Sequence, residues 1–176
     1  MNNKYSMNNQ GYSLIELIIV LAIIAILTVF SFNSVTYMSY ANSKKTVSEI
    51  DNYLSKVRLE SMSKINKSYA VVLSKETDGY YIYCLSNTSG VEIDEISKGT
   101  LVGNKKKIAN KEVVVTYKFI NGVEEFTLDS SNSLIIRYRG DSGAFASEYS
   151  SITIKSGARV SILKLVKKTG KHYIAS

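Results

Sequence analysis

The stretch Gln10-Gly11-Tyr12-Ser13-Leu14-Ile15-Glu16 leads without a break into Leu17-Ile18-Ile19-Val20-Leu21-Ala22-Ile23-Ile24-Ala25-Ile26-Leu27-Thr28-Val29-Phe30. Between Tyr12 and Ser43 the only charged side chain is Glu16. No glycine or proline interrupts the run, so nothing in it breaks a helix. At roughly 1.5 Å per residue, Leu17 to Tyr40 is long enough to cross a hydrocarbon core of roughly 30 Å. A carboxylate inside a bilayer costs roughly 2.5–3.5 kcal/mol on insertion scales, so Glu16 calls for a partner unless it sits at headgroup level.

Beyond the apolar run the helix is expected to continue with a different face. Val47, Ile50, Leu54 and Val57 recur at 3–4–3 spacing, with Leu59, Met62 and Ile65 broadening the stripe. Lys44, Lys45, Glu49, Asp51, Lys56, Arg58 and Glu60 lie between them. A helix from about Tyr12 to Lys64 is roughly 80 Å long, too long for one compact domain. Its apolar first half is therefore expected to project, and its amphipathic second half to pack on a sheet.

The period then changes to two. Strands are expected at Ser68–Leu73, Tyr80–Leu85, Val113–Ile120, Glu125–Leu128, Leu134–Tyr138, Ser151–Ile154, Arg159–Leu165 and His172–Ile174. Thr77-Asp78-Gly79, Asn121-Gly122 and Lys155-Ser156-Gly157-Ala158 read as the turns of hairpins. Lys105-Lys106-Lys107 reads as an exposed turn, and Val91–Val102 is ambiguous. The fold class is α+β: a long N-terminal helix on an antiparallel β-sheet or small β-sandwich. The expected parts are 1–11 ahead of the helix, 12–40 as a transmembrane helix, 41–66 as its amphipathic continuation and 67–176 as a β-rich head.

At 176 residues, one soluble domain plus a helix is the natural count. The single cysteine, Cys84, allows no intrachain disulfide, and a thiol inside Tyr-Ile-Tyr-Cys-Leu reads as a small buried hydrophobe. The single histidine, His172, sits near the C terminus, where a frayed end makes it a poor base for a nucleophile. No Cys/His cluster has metal-ligand spacing and no phosphate-cradling glycine loop occurs. An enzyme is not expected, nor any cofactor. The net charge of +7 suggests anionic neighbours without choosing among them. Arg137, Arg139, Arg159, Lys164, Lys167, Lys168 and Lys171 crowd the C-terminal part, with Tyr138 and Tyr173 among them. Such a strip can grip a nucleic-acid backbone and stack bases; the plainer reading, solvated charge that keeps the domain soluble, is favoured. Arg139-Gly140-Asp141 spells an adhesion tripeptide that a turn between strands explains.

Gly11, the aromatic Tyr12, Ser13-Leu14-Ile15 and then Glu16 before an unbroken apolar helix resemble the N-terminal signal of type IV prepilins and pseudopilins. The resemblance makes 1–11 a leader and 12–40 a filament-core helix, and it implies a prepilin peptidase that cuts after Gly11 and methylates the amine of Tyr12. It implies a single-pass membrane precursor with the head outside, then an extracellular pilus or pseudopilus. Other pilin subunits and a membrane assembly platform are the implied partners, and Glu16 would face the ammonium of a neighbour. That pairing suits physical expectation, because a buried unpaired acid is heavily penalised. Many family members carry proline where this chain has Asn33, so the helix here either runs straighter or softens at Ser31–Ser34. A looser resemblance, to H-type pseudopilins and related minor pilins, rests on Gly140-Asp141-x-Gly143 and Thr169-Gly170-Lys171. The implied function is a minor pilin or pseudopilin. The alternatives are a DNA-binding minor pilin of an uptake pilus, a type II secretion pseudopilin, or an unrelated anchored protein that keeps its leader.

Overall fold

The computed structural model describes residues 13–64, 67–89 and 91–175, and over 29–36 the backbone alone. Gly11 and Tyr12 lie outside the described residues. The chain forms two units, Met1–Tyr37 and Met38–Ser176.

In the first unit the backbone is helical from Leu14 onward, as the opening part of α1, Leu14–Ser63. It stays helical through Ser31–Ser34, where softening was one of two expectations; the side chains there lie outside the described residues. Every large apolar side chain from Leu14 to Leu27 is between 50% and 78% exposed. A helix apolar on all faces belongs inside something larger than itself. Among the described residues no helix is long and apolar enough to cross a membrane. The described side chains of this run end at Thr28, and the remainder of the expected span begins at residue 29.

In the second unit α1 carries the expected stripe, and Val47, Ile50, Leu54 and Val57 are buried. Leu59 was expected to widen the stripe but is exposed. It lies two residues past Val57, about 200° round the helix and off the packed face. Ile65 lies outside the described residues.

Among the described residues nine strands follow, in two antiparallel sheets. The four-stranded sheet has the order β3 (Thr100–Asn110), β2 (Gly79–Asn87), β1 (Ser68–Glu76), β6 (Ser133–Arg137). The five-stranded sheet has the order β5 (Glu125–Thr127), β4 (Val114–Phe119), β7 (Tyr149–Ser156), β8 (Arg159–Val166), β9 (Lys171–Ala175). Alternation decides what each strand buries. Tyr69, Val71 and Leu73 of β1 and Tyr80, Ile82 and Cys84 of β2 meet the α1 stripe in one core. Val115 of β4, Ile152 and Ile154 of β7, and Leu163 and Leu165 of β8 join it from the other sheet. The opposite face of the four-stranded sheet is also covered: Ala70, Val72, Tyr83 and Leu85 pack with Ile93. The ambiguous stretch 91–102 is thus resolved into a covering segment, a short 3-10 turn at Ile96–Lys98 and the start of β3.

Lys105, Lys106 and Lys107 lie within β3 rather than in a turn. Three successive lysines carry no alternation to read. They are held instead by register with β2, Tyr81 opposite Lys107 and Ile82 opposite Lys106. Each lysine finds an acid: Glu76 at 2.8 Å, Glu49 at 2.5 Å and Asp78 at 2.8 Å, respectively. Lysines on an edge strand also discourage pairing with other chains.

Candidate functional site

Glu16 lies in the first turn of α1. The amide of Ser13 donates to Glu16 Oε2 at 2.8 Å, and the amide of Glu16 donates to Ser13 Oγ at 3.3 Å. This is a reciprocal capping box, which satisfies two helix-start donors that have no partner within the helix. The carboxylate therefore marks and holds the beginning of the apolar helix, at the position where negative charge also suits the helix dipole. Ser13 was not singled out from sequence, although the Ser-x-x-Glu spacing is visible there.

Three of the seven basic candidates are engaged by other side chains. Arg137 is ion-paired with Glu92 at 2.6 Å, and Lys167 is ion-paired with Glu148. Arg159 stacks its guanidinium over the Tyr40 ring at 5.9 Å, with Lys44 at 5.7 Å from the same ring. Arg139 is exposed beside a hollow of about 460 Å³ whose lining includes Lys67 and Arg137 but also Glu92 and Asp141, so its charge is mixed. Lys164, Lys168 and Lys171 are exposed on the β8–β9 hairpin. Register sets Lys164 opposite Tyr173, and Val166 opposite Lys171.

His172 is not at a frayed end. β9 pairs with β8, Leu165 opposite His172, and this turns the imidazole toward α1. Its side chain is 5% exposed. Nε2 lies 3.0 Å from Ser55 Oγ, 3.1 Å from the Asp51 carbonyl oxygen and 3.6 Å from Asp51 Oδ1. Nδ1 is buried without a hydrogen-bond partner. A Ser–His–acid relay needs serine and carboxylate on opposite ring nitrogens; here both crowd one, so the group is a strand anchor. Cys84 is buried, and desolvation pushes its thiol up to about 12, far from the thiolate form that a nucleophile needs. Among the described residues no group of three or more His, Cys, Asp or Glu side chains could hold a metal ion.

Arg58, which the sequence did not single out, ties two flagged turns together. Its Nε donates to the Gly143 carbonyl at 3.1 Å and its Nη2 to the Thr169 carbonyl at 2.8 Å. Gly143 and Gly170 both adopt positive φ, near +63°. A Cβ on Gly170 would stand 1.7 Å from the Gly143 carbonyl oxygen, so the turns meet backbone to backbone. Tyr138 completes the seam by donating from Oη to the Leu54 carbonyl at 3.1 Å, and burial raises its phenol well above the usual range. Asp51, Ser55, Arg58 and Met62 recur at 4–3–4 spacing, one helix face, and that spacing is the signal that could have found them.

A family model of the prokaryotic N-terminal methylation motif matches residues 6–32. Comparison with curated proteins and with solved structures finds no match. The motif supports a type IV pilin-like protein, and a helix against antiparallel sheets is consistent with that fold. It points to a structural protein rather than an enzyme, and it implies processing by prepilin peptidase and assembly with other pilins.

Proposed function

We propose that the chain is a subunit, minor pilin or pseudopilin, of a type IV pilus or related filament. Prepilin peptidase cuts after Gly11 and methylates the amine of Tyr12. The precursor is held in the membrane by its apolar helix with the head outside. A membrane assembly platform then moves the helix into the filament core. The observation that carries this reading is the coincidence of the methylation motif at residues 6–32 with a helix whose apolar side chains, Leu14 to Leu27, are all exposed. Either a bilayer or a bundle of like helices would cover such a surface.

Glu16 would act as a register device in that bundle. An α-amine has a reference pKa of about 8 and remains largely cationic at neutral pH. A matched ammonium from a neighbour satisfies the carboxylate in a dry core. The Ser13 amide holds the carboxylate until then. The DNA-binding reading is not adopted, because Arg137 and Lys167 are engaged by acids and Arg159 by Tyr40.

Mass spectrometry of sheared surface material tests the proposal. A peptide beginning at methylated Tyr12 is the expected result. An intact chain beginning at Met1, in cells with active prepilin peptidase, would overturn it.

A further inference from the structure

The five-stranded sheet is electrically uneven from one edge to the other. Its two edge strands are β5 and β9, each with a strand neighbour on one side only. At the β5 edge, the tip of the β4–β5 hairpin carries Val123, 93% exposed, followed by Glu124 and Glu125. Phe126 beside them is exposed. Neither acid has an ion-pair partner among the described residues, although Lys118 stands opposite Glu125 in register. At the far edge, the β8–β9 hairpin carries exposed Lys164, Lys168 and Lys171 with exposed Val166, Tyr173 and Ile174. None of these three lysines has an ion-pair partner among the described residues. One edge is thus acidic and apolar, and the other basic and apolar.

We propose that the heads of neighbouring copies associate head-to-tail through these edges, the β4–β5 hairpin of one seating against the β8–β9 hairpin of the next. The proposal rests on the filament reading and names the head contact within it. A contact between two different patches is heterologous, and heterologous contacts extend into open polymers instead of closing into dimers. The strand directions allow it. Four antiparallel steps separate β5 from β9, so the two run parallel, and a copy displaced along the sheet sets its β5 parallel to β9. Phe126 meets Tyr173 and Ile174, and Glu124 and Glu125 meet Lys168 and Lys171. The opposite charges also give direction, since like edges repel. The edges are short, so the contact is weak alone and counts when membrane or filament holds copies at high effective concentration.

The test uses the full chain in cells. Glu124→Cys and Lys171→Cys are placed in one chain, with buried Cys84 left in place. The expected result on mild oxidation is a ladder of disulfide-linked oligomers in sheared filaments, and no ladder from either single variant. Reversing one edge, Glu124→Lys with Glu125→Lys, should cut assembly about tenfold, the effect of about 1.4 kcal/mol. Adding Lys168→Glu and Lys171→Glu to the same chain should restore it. Filaments without a ladder, or no restoration by the second reversal, would overturn the edge contact while leaving the filament reading intact. A chain that forms no filament and keeps its leader overturns both.

Discussion

The two parts of α1 use the same residue types to opposite ends. From Leu14 to Leu27 the helix is apolar on every face and exposed on every face. From Val47 to Val57 it is apolar along one stripe, and Ile50 and Leu54 are fully buried. The second part has found its partner inside the chain, in the core shared by two sheets. The first leaves its described apolar side chains exposed. Apolar area removed from water stabilises by roughly 25 cal/mol per Å² wherever the covering atoms come from. On the filament reading, the partner lies within the subunit for one part and outside it for the other.

The sharpest way to break this comparison is to truncate one apolar residue in each part. Leu54→Ala should lower the unfolding free energy of the head by about 2–5 kcal/mol, the range for emptying a packed leucine site. Ile23→Ala should leave head stability unchanged and reduce recovery of the subunit in filaments. Denaturant unfolding measures the first and sheared-fraction blots the second. Equal effects of the two on unfolding would remove the distinction.

The next effect concerns what the second part holds besides the core. Gly170→Ala places a Cβ against the Gly143 carbonyl and asks alanine to take positive φ. Backbone strain of this kind costs about 1–3 kcal/mol. Arg58→Ala leaves the Gly143 and Thr169 carbonyls without their donor, also about 1–3 kcal/mol where they are shielded from water. Hydrogen exchange should show β9 and the 140–144 turn opening first in both variants. Protection that stays uniform would mean that Arg58 does not hold this seam.

What could be read beforehand follows the same division. The apolar run, the 47–57 stripe and the β1–β2 and β7–β8 hairpins each carry a local signal, a period or a turn residue, and each lies where it was expected. The β3 lysines and His172 were misread because their places are set by register with distant partners, Tyr81 and Leu165. The basic C-terminal residues looked like one strip in sequence. In the structure Arg137 is paired with Glu92, Lys167 with Glu148, and Arg159 lies over Tyr40. For the site at Glu16, the acid was conspicuous by its charge in an apolar run, whereas its tie to Ser13 went unread although the Ser-x-x-Glu spacing carries it.

A smaller effect is expected at that tie. Ser13→Ala removes the hydroxyl that accepts from the Glu16 amide. Loss of an N-cap side chain costs about 0.5–2 kcal/mol of helix stability. The head should unfold as before, because the change lies in the uncovered part of α1. Fraying of residues 13–17, read by amide exchange in detergent micelles, should increase. If head unfolding moved as well, the two parts of α1 would be coupled in stability and the comparison above would need revision.

The smallest effect is expected where solvent surrounds both partners. Asp78 is held below the usual carboxylate range, first by the hydrogen bond from Lys107 and then by that from Tyr81. Its folded pKa is lowered, so its contribution is present above the unfolded value and is lost as pH falls through the folded one. Lys107→Ala should move the Asp78 carboxyl upward toward an ordinary aspartate in an NMR titration. Head stability at neutral pH should barely change, since exposed pairs contribute little. A large loss would show that the β3 edge depends on its lysine–acid pairs, and that register alone does not hold an edge strand whose side chains carry no alternation.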